Sequence, residues 1–367
     1  MKILLINKFY YIKSGSERVF FETKKLLEQK GHEVISFSMR DENNFPSDEA
    51  DYFAPNIDFT DYKGWLKKSC LYIYNKKVAK RLARLIKDKK PDIAHLHNIS
   101  HQLTPSILKP LCKNNIPVVQ TLHDYQIICP NYKLFTHGKV CERCYKHKYY
   151  NCVLNKCVRQ KFGPSILAAI ELRLQQVFKY YRQRVDVFVS PSQFLKDRCQ
   201  DWGVKNPIKV INNFLEEDDF VPNYESGNYV LYVGRLSSEK GVLTLLKAFK
   251  NLLKIDLKIV GSGPDEEKII DYIQSNKLGN VQLLGAKYGP DLHNIIKNSC
   301  FVVVPSEWYE NYPVIVLEAM ALGKPVLASK IGGMKEMIDP KVNGLFFKAG
   351  DAKDLEKTIN ELYHSPK

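Results

Sequence analysis

Two glutamates and two basic residues have the spacing expected for binding a charged, polyhydroxylated ligand. Glu310 and Glu318 lie eight positions apart in PSEWYENYPVIVLEAMALGKPVLAS, and Arg235 and Lys240 lie five apart in GRLSSEKG. A carboxylate can accept hydrogen bonds from two sugar hydroxyls, and two cations beside free backbone N–H groups suit a diphosphate. A lone glutamate such as Glu318 is usually just a helix-surface acid. Together, however, the four side chains indicate a site for a sugar nucleotide.

The elements around these residues alternate between buried strand and helix. Around the glutamates, the apolar run Phe301–Val304 predicts a parallel strand, followed by a polar loop, a helix over 313–322 and another strand at 325–328. The two cations likewise follow a predicted strand, Tyr229–Val233, and precede a predicted helix. Open α/β sheets bind ligands at the C-terminal edge of their strands, so both pairs are predicted to lie at such an edge.

The first half of the chain shows the same alternation, with strands predicted at 1–6, 33–38, 93–96, 118–122 and 185–190, and helices at 17–30, 164–181 and 192–202. Gly15 and Ser16 stand where the first helix begins, so a phosphate or an acceptor hydroxyl could approach the backbone closely there. His123 directly follows a buried strand at the ligand-binding edge. A lone histidine at a strand end is more often structural, which is the competing interpretation for His123 and for His97.

Length and composition predict two α/β domains. The chain has 367 residues, of which 44% are hydrophobic, and a cluster of Asn, Pro, Gly, Asp and Glu places the boundary within 205–225. No run of 18 apolar residues predicts a transmembrane helix, and the first apolar segment is too short for a signal peptide. Together with nine cysteines, this favours a reducing cytoplasm.

Charge is concentrated in the first half. Residues 1–200 carry 35 Lys+Arg against 18 Asp+Glu, a difference of +17, whereas residues 201–367 carry 20 against 22, a difference of −2. The segment 63–90 holds eleven of these cations, one acid and interleaved apolar residues. Such a helix can lie on an anionic membrane, or it can pack its apolar stripe on the sheet. We favour the packed helix, with membrane contact as a property of its outer face.

Cysteines cluster between residues 129 and 157. The spacing of Cys141, Cys144, Cys152 and Cys157 is compatible with a structural zinc site of four thiolates. His137 and His147 are alternative ligands, and free thiols or disulfides are the competing interpretations. A zinc ion would stabilise a segment with few periodic apolar residues.

The motifs together resemble a known family. GRLSSEKG, the glycines of 260–264 and the Glu-x7-Glu pair within 305–333 are similar to those of the retaining glycosyltransferases of family 4, also called group 1, and the resemblance covers nearly the whole chain. It implies the α/β GT-B fold, with two Rossmann-like doubly wound domains facing across a cleft. The implied parts are an acceptor-side domain (1–205) with a Cys-rich insertion (129–157), a nucleotide-sugar-binding domain (206–350) and a helix crossing back to the first domain (351–367).

The resemblance also implies roles for site residues. Arg235 and Lys240 would neutralise the leaving nucleoside diphosphate, Glu318 would hold ribose hydroxyls, Glu310 would hold the donor sugar, and His123 would lie beside the transferred sugar. Family members usually carry two glycines where this chain has Gly15 and Ser16. The further donor-binding residues implied are Gly15, Ser16, Gly234, Gly261, Gly263, Asn311, Tyr312 and Pro313.

The implied activity is transfer of a hexosyl-type sugar, with retention, from a nucleoside-diphosphate sugar to a glycan or lipid-linked acceptor in polysaccharide or cell-surface glycan biosynthesis. No cofactor would be required for catalysis, since the two cations replace a metal ion. The implied location is the cytoplasm, with peripheral contact at the inner face of the cell membrane. No nucleic acid is expected as a partner.

Three other classes remain open at this point. A basic, Cys-rich nucleic-acid-binding protein fits the charge but leaves the paired cations and glutamates unexplained. An NAD-dependent oxidoreductase is opposed by Glu266, which stands where the dinucleotide fingerprint needs its last glycine. A GT-B epimerase or phosphorylase shares the motifs. Trapping a transfer product with a purified acceptor would distinguish this last class.

Overall fold

The structure, a computed structural model, describes residues 1–57, 65–216 and 220–364, including all side chains of these residues except those of 65–67. Contacts between residues divide the chain into two compact units. The first contains residues 1–134 and 141–213, and the second contains 135–140 and 214–367.

The first unit is built on a parallel sheet. The strands up to residue 213 are β1 (Lys2–Ile6), β2 (Glu33–Phe37), β3 (Ile93–Leu96), β4 (Val118–Thr121), β5 (Phe135–Thr136), β6 (Lys139–Val140), β7 (Val187–Ser190) and β8 (Ile208–Val210). Six of them form one sheet in the order β2-β1-β3-β4-β7-β8, and β5 and β6 form an antiparallel hairpin. Strand β1 reads as a continuous apolar run because parallel strands are covered by helices on both faces.

The helices of the first unit follow the predicted alternation. They are α1 (Gly15–Gln29), α2 (Trp65–Ile73), α3 (Lys76–Lys89), α4 (Leu108–Lys113), α5 (Tyr150–Leu154), α6 (Phe162–Val177), α7 (Tyr180–Arg184) and α8 (Gln193–Asp201). The helix predicted over 164–181 is interrupted at Lys179, which has a left-handed backbone with φ of 50°. The interruption separates α6 from α7.

The basic segment predicted over 63–90 forms α2 and α3, and residues 63 and 64 lie outside the described part of the chain. In α3, Val78, Leu82, Leu85 and Ile86 are buried, while the lysines of the opposite face are exposed. This arrangement matches the packed-helix interpretation, because the apolar stripe of α3 packs in the interior of the protein.

The boundary between the units falls after Asn213. It lies within the predicted range of 205–225, eight residues after the division placed at residue 205. Strand β8 pairs in parallel with β7, with Val189 opposite Lys209, and therefore belongs to the first sheet.

The second unit has its own parallel sheet. Its strands are β9 (Tyr229–Val233), β10 (Asp256–Val260), β11 (Val281–Leu283), β12 (Phe301–Val304), β13 (Val326–Ser329) and β14 (Gly344–Phe347), in the order β11-β10-β9-β12-β13-β14. This is the Rossmann order, and its direction reverses between β9 and β12. Ligands of such sheets bind beyond the carboxyl ends of the two strands at the reversal. Both predicted pairs of site residues follow these two strands.

The helices of the second unit are α9 (Val242–Phe249), α10 (Glu266–Ser275), α11 (Gly289–Lys297), α12 (Val314–Ala321) and α13 (Ala352–His364). In α13, Leu355 and Ile359 join a buried cluster with Leu246 and Phe249 of α9. The buried face of α13 therefore packs within the second unit, and the crossing of 351–367 to the first domain stays a prediction. None of the described helices has both the length and the apolar character needed to cross a membrane.

Candidate functional site

The centre of the candidate site is an ion pair between two loops of the second unit. Lys240 follows β9 and Glu310 follows β12, and the Lys240 Nζ lies 2.6 Å from the Glu310 Oε1. The Ser306 hydroxyl donates to the same carboxylate oxygen at 2.6 Å, and the Lys240 ammonium lies 5.2 Å from the centre of the Trp308 ring. Glu310 is only 4% exposed. The carboxylate therefore lies largely out of water, whereas the Lys240 side chain is 25% exposed.

Further bonds hold the same two loops together. The Glu307 N–H donates to the Glu239 carbonyl at 2.9 Å, and the Thr244 hydroxyl donates to the Glu307 Oε1 at 2.6 Å. Gly241 has a φ of +70°, and a Cβ built on it would lie 1.9 Å from the carbonyl oxygen of Pro305. Only glycine allows this backbone approach, so Gly241 fixes the separation of the loops that carry Lys240 and Glu310.

Gly241→Ala is expected to lower the free energy of unfolding by about 2–4 kcal/mol, because the added methyl overlaps backbone and forces a left-handed residue to carry a Cβ. Gly279→Ala is the matched control in the same unit, since a Cβ there meets nothing within 4 Å. Urea unfolding of both variants measures the difference. Equal stability of the two proteins would contradict the close approach.

The backbone of Glu310 is also fixed from the side of β13. The Gly333 N–H donates to the Glu310 carbonyl at 2.7 Å. A Cβ on Gly332, whose φ is +60°, would lie 2.4 Å from that carbonyl oxygen. Three segments, following β9, β12 and β13, therefore determine where this carboxylate points.

Arg235 lies in the same loop as Lys240 but is exposed, and it makes no ion pair with any described residue. The Tyr232 hydroxyl donates to its carbonyl at 2.9 Å. Burial, and then the nearby Glu310 and Glu239, raise the pKa of Tyr232 well above its usual value, so this hydroxyl remains a donor. The buried Ser237 Oγ has no hydrogen-bond partner among the described residues. The loop thus carries an exposed guanidinium without an ion pair and a buried hydroxyl without a hydrogen-bond partner among the described residues.

The glycines predicted to bind the donor also have a packing role. A Cβ on Gly261 would lie 1.9 Å from the Gly234 carbonyl oxygen, and one on Gly263 would lie 2.3 Å from that of Leu236. The Leu236 N–H donates to the Ser262 carbonyl at 3.0 Å. The loops after β9 and β10 are therefore in backbone contact, and these glycines are needed for that contact whatever they do for a ligand.

The remaining predicted donor residues lie at and after the start of α12. Pro313 is the residue that precedes the first helical turn, so the helix begins one position later than predicted. Asn311 and Glu318 are 7% and 5% exposed, and Tyr312 packs against the apolar cluster beneath the sheet. Their contact with a donor stays a prediction.

His123 lies in the first unit, after β4. Its Nε2 is 2.9 Å from the Nδ1 of His97, which follows β3. Burial, and then the neighbouring His95 and Lys8, lower the pKa of His123 to about 3. Burial also lowers the pKa of His97 well below its usual value. Both rings are therefore neutral near pH 7, and one donates a hydrogen bond to the other.

Gly15 and Ser16 begin α1, where a carboxylate is already present. The Ser14 and Ser16 hydroxyls donate to the two oxygens of Glu17 at 2.6 and 3.0 Å, and Glu17 is 1% exposed. A phosphate at this helix end would meet the negative charge of Glu17 as well as the backbone N–H groups. Donor contact by Gly15 and Ser16 stays a prediction.

The cysteines predicted to bind zinc interact with one another. In the described part of the chain, no group of three or more His, Cys, Asp or Glu side chains is arranged to hold a metal ion, and zinc binding by Cys141, Cys144, Cys152 and Cys157 stays a prediction. The Cys152 thiol hydrogen-bonds with Cys157, and burial raises the pKa of Cys144 to about 12. The Nδ1 of His147, an alternative ligand, lies 2.9 Å from the Tyr149 hydroxyl. The spacing of cysteines along the chain does not by itself show in which direction each thiol points.

Three features of this site were not singled out in the sequence: Ser306, Trp308 and the Thr244–Glu307 bond. Ser306, Glu307 and Trp308 lie within the PSEWYEN segment, so their closeness in sequence to Glu310 could have indicated them. Thr244 lies in a different segment. Their contacts join segments that are far apart along the chain, and a local sequence pattern cannot predict such contacts.

Two family models match the chain. The model of Glycosyltransferase Family 4 matches residues 13–219, which is more than half of the chain. The model of the glycosyl transferases group 1 matches residues 214–367.

Curated relatives and solved structures agree with these matches. An uncharacterized glycosyltransferase of Methanocaldococcus jannaschii is 31% identical over 55% of the chain and 57% of its own length, so the chain spans less than two thirds of that relative. An uncharacterized protein from the cps region of Klebsiella pneumoniae is 26% identical over 97% of the chain and 92% of its own length.

Among solved structures, sucrose-phosphate synthase from Thermosynechococcus elongatus has a TM-score of 0.73 at 19% identity, covering 100% of this chain and 90% of that one. Anabaena HepE in complex with UDP and glucose has a TM-score of 0.69 at 17% identity, with the same coverage. At these identities the likeness shows the fold, which is GT-B: two mostly parallel sheets flanked by helices.

Proposed function

The chain belongs to glycosyltransferase family 4, and from this premise we propose that it transfers a hexosyl-type sugar, with retention, from a nucleoside-diphosphate sugar to a glycan or lipid-linked acceptor. The observation that carries the proposal is the Lys240–Glu310 pair of 2.6 Å at the strand-order reversal of the second sheet. It places a cation and a carboxylate where doubly wound sheets bind nucleotides.

The proposed role of the cations is electrostatic. As the bond between the sugar and the diphosphate breaks, negative charge grows on the departing phosphate oxygens. The exposed Arg235 and the preorganised Lys240 would stabilise that charge without a metal ion, and the partnerless Ser237 hydroxyl would donate to the same group. Preorganised donors are effective because they need no reorganisation during the reaction.

The proposed roles of the carboxylates differ. Glu318 would hold the ribose hydroxyls, while Glu310 would orient the donor sugar. The contacts of Glu310 add a second task, since its Oε1 accepts from both Lys240 and Ser306. Glu310 would therefore also hold the ammonium in position for the diphosphate.

The acceptor side is proposed from the first unit. His123, neutral in its pair with His97, would contact a sugar hydroxyl. Named relatives act on comparable acceptors. One is a lipopolysaccharide 1,2-N-acetylglucosaminetransferase of Salmonella typhimurium, and another, in Campylobacter jejuni, is an N-acetylgalactosaminyltransferase that acts on a diphospho-undecaprenol-linked sugar. These relatives support a role in polysaccharide or cell-surface glycan biosynthesis. We further propose a cytoplasmic location, with peripheral contact at the inner face of the cell membrane.

A thermal-shift panel of nucleotide sugars and free nucleoside diphosphates tests the proposal. A ligand that binds only the folded protein at a hundred times its Kd adds about 2.7 kcal/mol of stability, so one donor should raise the melting temperature clearly. That donor, incubated with undecaprenyl-linked glycan acceptors, should then yield a glycosylated product. A protein stabilised by no nucleotide sugar in a panel of UDP, GDP, ADP and dTDP donors would contradict the function.

Retention is tested on the product. Nuclear magnetic resonance of the new linkage should show the same anomeric configuration as the donor sugar. An inverted product would disprove retention while leaving sugar transfer intact.

A further inference from the structure

Helix α6 presents an apolar stripe to solvent. Phe162, Ile166, Ile170 and Val177 are between 43% and 55% exposed. Their spacings of four, four and seven residues keep them within an arc of about 80° around the helix. These four residues are here called the α6 stripe. The adjoining Phe178 and, on α5, Tyr150 and Leu154 are exposed as well. Because singly exposed apolar residues are common but rows of them are not, the α6 stripe indicates a surface that is covered in use.

Cations border this stripe. Lys156 lies with its Nζ 4.4 Å from the centre of the Phe162 ring, and Arg173 is exposed within the arc of the stripe itself. From Lys148 to Arg184 the chain has eight Lys or Arg residues and a single acid, Glu171, which is 1% exposed. The accessible charges of this segment are therefore all positive.

A cavity opens at the C-terminal end of the stripe. Its volume is about 310 Å³, and both Arg173 and Val177 line it. Lys179, Arg182 and Lys205 also line it, and no Asp or Glu is among the described residues that do. The four lining cations make no ion pair with a described carboxylate. The cavity thus has the charge and size expected for a phosphate-bearing headgroup.

We propose that the α6 stripe and the cationic cavity beside it dock the protein on an anionic phospholipid bilayer. The apolar side chains would enter the boundary between headgroups and acyl chains, and Arg173, Arg182 and Lys205 would bind lipid phosphate. The proposal names the surface that makes the membrane contact included in the proposed function. It rests on that contact and not on the transfer reaction.

Two comparisons favour this partner and this face. A second copy of the chain docking through the same patch would bring like charges together, which opposes self-association. Helix α3 offers exposed lysines, but no large apolar side chain is exposed among the described side chains of 68–90. Interfacial helices combine both properties, and in this chain only α6 does so among the segments compared.

Co-sedimentation of the full chain with vesicles of phosphatidylglycerol and phosphatidylcholine, against vesicles of phosphatidylcholine alone, tests the proposal. The wild type should bind the anionic vesicles and release them as salt rises. Ile166→Ser with Ile170→Ser should weaken that binding by at least about tenfold, because two apolar side chains that would enter the bilayer are lost. Arg173→Ser with Arg182→Ser should weaken it by about fivefold per cation.

Two controls make the result specific. Leu253→Ser, in the second unit, removes a side chain that is 67% exposed and should leave vesicle binding unchanged. Lys77→Ser with Lys80→Ser, on the exposed face of α3, should reduce binding less than the α6 variants do. Unchanged melting temperatures would show that every variant is folded.

The outcomes separate this surface from the wider proposal. Loss of binding in the α3 variant with none in the α6 variants would overturn the surface while leaving membrane contact intact. A wild type that ignores anionic vesicles would overturn both, without bearing on sugar transfer. A dimer that the isoleucine variant dissociates, in a protein that binds no vesicle, would identify the stripe as a self-association face instead.

Discussion

Lys240→Ala is expected to lower turnover at saturating donor by about a hundredfold, equivalent to about 3 kcal/mol of lost transition-state stabilisation. The ammonium is held 2.6 Å from the Glu310 carboxylate, so it is already positioned when charge develops on the diphosphate. Because this charge is greatest in the transition state, the effect should fall mainly on turnover and less on donor affinity. Arg235→Ala should act in the same direction.

Lys247→Ala is the matched control for this experiment. Lys247 is exposed on α9, a few residues along the same chain segment, and makes no ion pair with any described residue. Its replacement should leave turnover at the wild-type level. Lys240→Ala and Arg235→Ala proteins that transfer sugar as fast as Lys247→Ala would show that the phosphate site is assigned to the wrong loop.

Glu310→Ala is expected to reduce both turnover and donor binding, with turnover falling by about a hundredfold. The substitution removes the acceptor shared by Lys240 and Ser306, and a displacement of a catalytic group by about 1 Å can cost that much. It also leaves a half-buried ammonium without its partner, which should lower the free energy of unfolding by about 1–3 kcal/mol.

Glu310→Gln separates position from charge. Its amide oxygen can still accept from Lys240 and Ser306, so turnover should fall by only about tenfold. Glu267→Ala, at an exposed position of α10, serves as the control and should match the wild type. Steady-state kinetics over a range of donor concentrations gives turnover and KM for each protein. If Glu310→Ala raised KM alone, Glu310 would bind the donor without positioning Lys240.

Much of the fold was predictable because the parallel strands are locally distinct. Runs such as Phe301–Val304 and Tyr229–Val233 are apolar throughout, and parallel strands buried on both faces require such sequences. Family resemblance then implied that these elements form two Rossmann-like domains. The division between the units falls later than residue 205 because β8 (Ile208–Val210) joins the first sheet, and a run of three residues does not reveal which sheet it joins.

The site was predictable in its members but not in its contacts. Glu310 and Lys240 were both singled out, yet they are 70 positions apart, and their direct pairing depends on the β9–β12 adjacency that only the sheet order supplies. The many cations of segment 63–90 indicated α3 as the membrane-facing helix, whereas the exposed apolar stripe lies on α6. In the sequence, apolar residues spaced four apart on α6 predict a helix that packs on the core, so their exposure was not expected.

The most direct test of the account is calorimetric titration of nucleoside diphosphates into three proteins: the wild type, Arg235→Ala with Lys240→Ala, and Lys247→Ala with Lys250→Ala. The last pair is exposed and removes the same formal charge from the same unit. We predict that the diphosphate that binds the wild type best binds this control equally well, and binds the Arg235 and Lys240 variant at least about tenfold more weakly. Equal affinity for all three proteins would contradict the account, because the diphosphate would then bind elsewhere than at the strand-order reversal of the second sheet.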